Sequence, residues 1–196
     1  MKDNRWEDHY TRQARKDRWL ARSVYKLQEI DKKFRVFSRG DRVLDLGCYP
    51  GSWSQYALQK IGPDGSLTGI DLTVPDRLSD SRFRFLRADV LTLEPESLLK
   101  EIGSLNLVMS DLAPRTTGIK EVDAARSMAL VKKASAIALQ LLLPGGRFIC
   151  KVFEGEDFRD FREDISPYYR QVRIFRTEAT RKKSREIYLI AKGFQA

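Results

Sequence analysis

Residues 43–53 read VLDLGCYPGSW, and this stretch decides the fold. Its first part, residues 43–46, is a short apolar run that predicts a buried strand, which ends at Gly47. A second glycine, Gly51, comes just before Ser52, where a helix is predicted to begin. Glycines in such a turn let the backbone approach a ligand closely, and the first N–H groups of the helix remain free to donate. The stretch therefore predicts a ligand-binding turn at the carboxyl end of a strand.

On the C-terminal side of this turn, apolar runs alternate with segments whose apolar residues have the spacing of a helix. Four more strands are expected, at residues 67–70, 83–86, 105–109 and 147–150. The clearest helix is predicted from Val122 to Leu143, where apolar residues recur at spacings of three and four and Pro144-Gly145-Gly146 follows. This alternation favours a parallel sheet covered by helices on both faces.

The pattern changes in the C-terminal part of the sequence. Residues 171–175 and 186–190 read as two strands, and the polar segment 176–185 joins them without a helix. A connection of this length requires an antiparallel pair. We therefore expect an α/β fold in which parallel strands are followed by a terminal hairpin. The length fits a single domain, residues 1–196.

Polar or flexible residues follow the predicted strands of the parallel part. They are Gly47, Asp71, Asp89, Asp111 and Lys151. Ligands of open α/β sheets bind beyond the carboxyl ends of the strands, so these residues would converge on one rim. Aspartate and glycine also end strands without any functional role, and only the five together favour a site.

The glycine-containing turn does not have the dinucleotide pattern G-x-G-x-x-G, because its glycines fall at Gly47 and Gly51. This disfavours an NAD-linked oxidoreductase. A ligand with an adenosine but no pyrophosphate fits better, and S-adenosylmethionine is such a ligand. Asp71 stands 24 positions after Gly47, where a carboxylate can accept from both ribose hydroxyls. Asp89, after the next strand, is placed to accept from the adenine amino group.

Composition excludes several kinds of site. His9 is the only histidine of the sequence, and Cys48 and Cys150 are its only cysteines. No histidine-based metal site, structural zinc site or Ser-His-Asp triad can be assembled from them, and no metal is expected. No apolar run is long enough to span a bilayer, and the N-terminus does not read as a signal peptide. We therefore expect a cytoplasmic protein without a membrane partner.

The net charge of +9 is concentrated near the two ends of the sequence. Residues 1–42 hold 13 Lys and Arg against seven Asp and Glu, and residues 170–193 hold eight against two. Such runs are often a solvated surface. The alternative is that both ends fold onto one face and form a phosphate-binding patch. Composition alone leaves both interpretations open.

In its motifs the sequence resembles the FtsJ/RrmJ family of RNA ribose 2′-O-methyltransferases. The resemblance runs from about Arg22 to Ala191 and is carried, in the expected order, by RSVYKL (22–27), DLG (45–47), PGSWSQY (50–56), SDLAP (110–114), KVFEG (151–155) and SREIY (184–188). It implies a Rossmann-like, S-adenosylmethionine-dependent methyltransferase fold, with a seven-stranded, mostly parallel sheet whose last strand is antiparallel. The sequence departs from the family pattern at Cys48-Tyr49, Ser52 and Arg115.

The resemblance also implies the site residues. The catalytic tetrad would be Lys26, Asp111, Lys151 and Glu186. The cofactor would contact Gly51, Trp53, Asp71, Asp89 and Asp111. The glycine-containing turn suggests Gly47 as a further cofactor contact. With the tetrad at the mouth of the site, the basic segments lie beside it, and RNA contacts are expected from Arg22, Arg181, Lys182, Lys183 and Arg185.

Methyl transfer to a hydroxyl requires alignment of two centres and removal of a proton from a weak acid. Lys151 is the expected base, and the two carboxylates are expected to orient the ammonium groups. A lysine accepts a proton only in its neutral form, which a neighbouring cation favours and a neighbouring carboxylate opposes.

The resemblance favours a uridine of large-subunit ribosomal RNA in the assembled particle as the substrate, and a monomeric enzyme. A tRNA 2′-O-methyltransferase and a non-catalytic RNA-binding factor of ribosome assembly are the alternatives. Four intact and dissimilar tetrad residues speak against the second of these.

Overall fold

The computed structural model describes residues 9–181 and 184–195. Its strands are β1 (Arg42–Leu46), β2 (Ser66–Asp71), β3 (Phe83–Arg87), β4 (Leu105–Ser110), β5 (Leu142–Phe153), β6 (Tyr169–Phe175) and β7 (Glu186–Phe194). Its α-helices are α1 (His9–Lys16), α2 (Val24–Phe34), α3 (Ser52–Ile61), α4 (Pro95–Ile102), α5 (Lys120–Leu141) and α6 (Phe158–Ile165). Two single turns of 3₁₀-helix lie at Val90–Thr92 and Ser166–Tyr168.

The strands form one sheet in the order β3-β2-β1-β4-β5-β7-β6. The pairs among β1 to β5 are parallel, whereas β7 is antiparallel to both of its neighbours, β5 and β6. Strand β6 therefore runs in the same direction as the first five, and β7 alone is reversed. The predicted seven-stranded sheet with an antiparallel last strand is confirmed.

Apolar layers cover both faces of the sheet. One layer lies under α4, α5 and α6 and includes Phe148 and Leu189, while the other lies under α2 and α3 and includes Ile149 and Tyr188. These residues are neighbours in their strands, and successive side chains of a strand point to opposite faces. The central strands are consequently buried on both sides, as parallel sheets require.

The end of helix α5 differs from the prediction. The helix ends at Leu141, before Pro144, and the next residue, Leu142, already pairs with Leu105 of β4. The Pro144-Gly145-Gly146 segment lies inside β5, where the register with β4 shifts. A proline, which has no N–H to donate, is tolerated where the ladder of hydrogen bonds is interrupted.

One predicted strand end differs in a way that matters for the site, and so does the place of another strand in the sheet. Lys151 is not at the end of β5 but two residues before it, and Glu186 begins a strand that lies inside the sheet. Because β6 takes the edge, β7 has a partner on each side. Both side chains are thereby enclosed by structure that their positions in the sequence do not reveal.

Candidate active site

The four residues predicted as a catalytic tetrad come from four separate elements and meet at one end of the sheet. Lys26 lies in the first turn of α2, Asp111 follows β4, Lys151 is in β5, and Glu186 is the first residue of β7. Because β7 runs antiparallel to β5, its first residue lies at the carboxyl end of β5, opposite Phe153. The reversal of β7 is what brings Glu186 to the same rim as the others.

Within the tetrad the side chains form two ion pairs. The ammonium of Lys26 lies 2.6 Å from Oε1 of Glu186, and that of Lys151 lies 2.9 Å from Oδ1 of Asp111. Lys151 also donates to the backbone carbonyl of Asp111. The side chains of Lys151 and Glu186 are only 8% and 10% exposed. Desolvated charges are tolerated when they are paired and hydrogen-bonded, as they are here.

A fifth residue, Tyr188, joins the two ion pairs. Its hydroxyl lies 3.0 Å from Oδ1 of Asp111 and 3.0 Å from Oε1 of Glu186, so it can donate to either carboxylate. The ring is completely buried, and burial together with the two negative charges raises the pKa of Tyr188 well above its usual value. The phenol therefore remains a neutral hydrogen-bond donor. A continuous chain of polar contacts runs Lys151–Asp111–Tyr188–Glu186–Lys26.

The sheet register explains why these groups share one face. Lys151 and Tyr188 are direct partners across β5 and β7, and Glu186 stands two residues before Tyr188. Partners across a ladder and residues two apart in a strand point to the same face. The sequence contained this signal, since the period of two in β7 aligns the tyrosine with the glutamate, but the prediction assigned no role to Tyr188.

A cavity of about 300 Å³ adjoins this chain of contacts at the carboxyl ends of β1 to β4. Four of the predicted cofactor residues line it, namely Gly47, Asp71, Asp89 and Asp111, together with Tyr49, Leu72, Ala88, Val90, Leu112, Ala113 and Leu130. Each of Asp71 and Asp89 already accepts from nearby backbone N–H groups. A carboxylate has about four acceptor positions, so both can also accept from ligand hydroxyl or amino groups.

Gly47 shapes this cavity. Its backbone has φ of +80°, and a Cβ built there would come 2.7 Å from Cδ2 of Leu112, which lines the same cavity. Only glycine adopts this conformation without strain and leaves that space open.

Behind Gly47, the carboxyl group of Asp45 is completely buried. Its Oδ2 accepts from the hydroxyl of Ser54 at 2.6 Å, while Oδ1 has no hydrogen-bond partner in the described part of the chain. Burial, opposed by the Ser54 bond and reinforced by Asp111 and Asp71, raises the pKa of Asp45 to about 7. The three carboxyl groups that line the cavity are those of Asp71, Asp89 and Asp111, and an anionic lining of this kind suits a cationic ligand.

Two predicted cofactor residues lie away from the cavity wall. Trp53 is buried in the layer beneath α2, where its ring packs against that of Tyr188 and its N–H donates to the carbonyl of Ser23. Gly51, with φ of +108°, precedes α3, and a Cβ there would contact Leu20 and Leu78. In this structure Trp53 supports Tyr188 and the segment before α2, and Gly51 lies in the turn that leads into α3.

The basic residues predicted to bind RNA fall into two groups. Arg22 interacts electrostatically with Arg181 and Glu186: burial and the charge of Arg181 lower the pKa of Arg22, and the charge of Glu186 raises it. The segment before α2 and the β6–β7 connection therefore meet beside the tetrad. Arg185 instead donates to the backbone carbonyls of Glu154 and Lys120. Lys182 and Lys183 lie outside the described residues.

Aromatic residues of the N-terminal segment pack against the protein. Trp19 packs edge-on against Tyr56, and Tyr25 contacts Tyr10 and donates to Asp17. Aromatic side chains of a basic segment, here Trp6, Trp19 and Tyr25, can also stack on RNA bases. The contacts of Trp19 and Tyr25 lie within the protein and favour packing instead. Trp6 lies outside the described residues.

Among the residues that the structure describes, no group of three or more His, Cys, Asp and Glu is arranged to hold a metal ion, and no helix is long and apolar enough to cross a membrane.

The strand order, the reversed strand next to the edge and a cavity beyond the carboxyl ends of the central strands define the class of Rossmann-like methyltransferases. Within this class the family is also defined. The sequence model of the FtsJ-like methyltransferases matches residues 19–194, and the chain belongs to this family.

Relatives of known name are similar over nearly their whole length. A protein of Desulfatibacillum aliphaticivorans, named ribosomal RNA large subunit methyltransferase E, is 47% identical over 95% of this chain and 90% of its own. A protein of Bdellovibrio bacteriovorus with the same name is 43% identical over 93% of this chain and 94% of its own. Among solved structures, a ribosomal RNA methyltransferase of Plasmodium falciparum superposes with a TM-score of 0.79 at 28% identity, over 90% of this chain and 98% of that one.

Proposed function

We propose that this methyltransferase transfers a methyl group from S-adenosylmethionine to a ribose 2′-hydroxyl of RNA, at a uridine of large-subunit ribosomal RNA. The observation that carries the proposal is the continuous chain of contacts from Lys151 to Lys26 beside the cavity. Paired ammonium and carboxylate groups next to a cofactor-sized cavity are suited to positioning a hydroxyl and removing its proton.

The residues of the cavity fit the proposed cofactor. S-adenosylmethionine, when bound, supplies an electrophilic methyl group on a positively charged sulfur. Asp71 would accept from the ribose hydroxyls and Asp89 from the adenine amino group, and Asp111 completes an anionic lining that suits a cationic sulfonium. The space kept open by Gly47 lets the ligand approach the backbone.

In this proposal the neutral amine of Lys151 accepts the proton of the 2′-hydroxyl, and Asp111 binds the ammonium group that is thereby formed. Lys26 and Glu186 hold the acceptor ribose from the other side, and Tyr188 fixes the distance between the two carboxylates. Alignment of this kind contributes up to about 7–11 kcal/mol to methyl transfer, and a positioned base contributes roughly 10²- to 10⁴-fold in rate.

The choice of ribosomal RNA is supported by the names of relatives that are 38–47% identical. It is also supported by the meeting of Arg22 and Arg181 beside the tetrad, since a phosphate-rich partner requires cations around the mouth of the site. We further propose that residues 1–196 act as one domain, that Lys182 and Lys183 extend this cationic surface, that the protein is a monomer, and that it works in the cytoplasm.

One experiment tests the proposal directly. Purified protein is incubated with methyl-labelled S-adenosylmethionine and, in separate reactions, with unmodified large ribosomal subunits, bare ribosomal RNA or tRNA, and the modified ribose is then mapped. We expect label at a single 2′-oxygen of the subunit RNA. Label in tRNA alone would show that tRNA, rather than ribosomal RNA, is the substrate. RNA binding without methyl transfer would favour the non-catalytic assembly factor.

A further inference from the structure

Helix α2 presents two charged side chains on one face. Lys26 and Glu29 are three residues apart, the spacing that places helix residues side by side. Lys26 binds Glu186, whereas Glu29 reaches the β6–β7 connection. Its Oε2 accepts the backbone N–H of Glu178 at 2.7 Å, and its Oε1 accepts that of Ala179 at 3.0 Å. The helix that supplies a tetrad lysine also holds a segment some 150 residues away in the sequence.

The segment that Glu29 holds is a tight turn that contacts the tetrad. The N–H of Thr180 donates to the carbonyl of Thr177, and their two hydroxyls are 2.8 Å apart. Thr180 then donates to Oε1 of Glu186 at 3.2 Å, the same oxygen that Lys26 binds. Both threonines and Ala179 are buried, although they belong to a connection between strands. The turn is thus fixed to α2 at one end and to Glu186 at the other.

The turn leads directly into the cations proposed to contact RNA. Arg181 follows Thr180, and in sequence Lys182 and Lys183 come next. A flexible cationic segment must be ordered when RNA binds, and each side chain ordered in this way opposes binding. A hydrogen bond to a charged acceptor is about twice as strong as one between neutral groups. The carboxylate of Glu29 is therefore well suited to order the turn before RNA binds.

We propose that Glu29 is a positioning residue for RNA binding: it fixes the turn 177–180, and with it Arg181, relative to the Lys26–Glu186 pair. This rests on the proposed function, because it takes RNA as the substrate. Glu29 itself touches neither the cofactor cavity nor the tetrad side chains. Its effect reaches the RNA through the turn.

The sign of the effect separates positioning from simple electrostatics. Removal of a carboxylate near a phosphate-binding surface should strengthen RNA binding if charge alone matters. If Glu29 positions the turn, Glu29→Ala weakens binding instead. We expect the KM for unmodified large ribosomal subunits to rise about tenfold, with kcat changed less than about threefold and the Kd for S-adenosylhomocysteine unchanged. Glu29→Gln, which keeps one acceptor oxygen, falls between Glu29→Ala and the wild type.

Glu178→Ala is the matched control. It also removes one carboxylate, here from the turn that Glu29 holds, yet it keeps the backbone N–H that Glu29 binds, so its KM should equal or fall below that of the wild type. A KM for Glu29→Ala that is unchanged or lowered overturns the proposal. So does a loss of cofactor affinity equal to the loss of RNA affinity, since that would indicate general damage to the fold.

Amide hydrogen exchange tests the anchor without RNA. The amides of Glu178 and Ala179 should exchange at least about tenfold faster in Glu29→Ala than in wild type. In Glu178→Ala the amide of Ala179 should exchange at the wild-type rate. Unchanged exchange would contradict the anchor. If the wild-type protein methylates no RNA while these amides respond as expected, the proposed function fails and the anchor stands apart from it.

Discussion

Asp111 and Glu186 share one hydrogen-bond donor, the hydroxyl of Tyr188, which lies 3.0 Å from an oxygen of each and can donate to either. Each carboxylate also binds its own lysine. The two ion pairs are therefore parts of one arrangement, and a change at one pair is expected to affect the other. This relationship leads to the first prediction.

Tyr188→Phe removes the hydroxyl and leaves two buried carboxylates without their shared donor. We expect kcat to fall about tenfold and the free energy of unfolding to fall by about 1–3 kcal/mol, because a buried acceptor loses its partner. Single-turnover methylation and urea unfolding measure the two effects. Tyr56→Phe is the matched control, since it also removes a buried hydroxyl–carboxylate bond, to Asp31, away from the site. Equal kcat values for the two variants would contradict the role of Tyr188.

Lys151→Ala is expected to lower methyl transfer by at least about 100-fold while binding of S-adenosylhomocysteine persists, because the proposed base is lost but the cavity is not. Lys151→Arg keeps the positive charge but cannot give up its proton, and it should be nearly as inactive. Rates are measured with labelled methyl donor and affinities by calorimetry. Turnover retained in either variant would exclude Lys151 as the base.

The triple change Arg181→Ala, Lys182→Ala and Lys183→Ala should weaken RNA binding. The slope of log affinity against log salt should become shallower by about two to three, one unit for each lost phosphate contact. The comparison is a second triple variant with exposed cations on α4, α5 and α6 replaced, Lys100→Ala, Lys132→Ala and Arg159→Ala. If both triples change the slope equally, RNA is bound by overall charge rather than at this surface.

Asp45→Asn tests the raised pKa of Asp45, about 7 in the folded protein. An unfolded aspartate loses its proton near pH 4, so between pH 4 and 7 the folded state binds the extra proton and the stability contributed by Asp45 declines as pH rises. The free energy of unfolding of Asp45→Asn minus that of wild type should increase with pH, by at most about 1.4 kcal/mol per unit, and level off above pH 7. Urea unfolding at pH 5 to 8, without ligand, measures it. A difference independent of pH would show that Asp45 is ionised throughout.

Gly47→Ala should weaken binding of the methyl donor more than about tenfold, because the new Cβ meets Leu112 at the cavity wall and the backbone has φ of +80°. Gly145→Ala separates the two causes. Its φ is +81°, yet nothing lies within 4 Å of the added Cβ. It should lose stability without losing donor affinity, and the same loss of affinity in both variants would argue against the steric explanation.

Much of the fold follows from local pattern. Five strands, the long helix and the final antiparallel pair are each visible as apolar runs or spacings of three and four. The helix end at Leu141 was missed because the proline and glycines that suggested a later end belong to an irregular part of β5. What stops the helix is the pairing of Leu142 with Leu105, a contact between residues far apart in the sequence.

The site was less accessible to sequence reasoning. Motifs predicted the four residues that the structure brings together, but the burial of Glu186 depends on β6 lying outside β7, and the order of strands is set by tertiary packing. Tyr188 could have been predicted, because it stands two residues after Glu186 in the same strand and so lies on the same face. The role of Glu29 could not be predicted from the sequence, since its partners are backbone N–H groups that almost any residue in the turn would supply.

The position of β7 between β5 and β6 also bears on how the enzyme comes into being. During synthesis β5 and β6 leave the ribosome before β7, yet they cannot pair with each other in the finished sheet, because β7 separates them. Glu186 and Tyr188 arrive with that last insertion. The residues that line the cavity all precede β5 in the sequence, whereas the groups that connect the two ion pairs come with β7, so the arrangement is complete only once β7 is inserted.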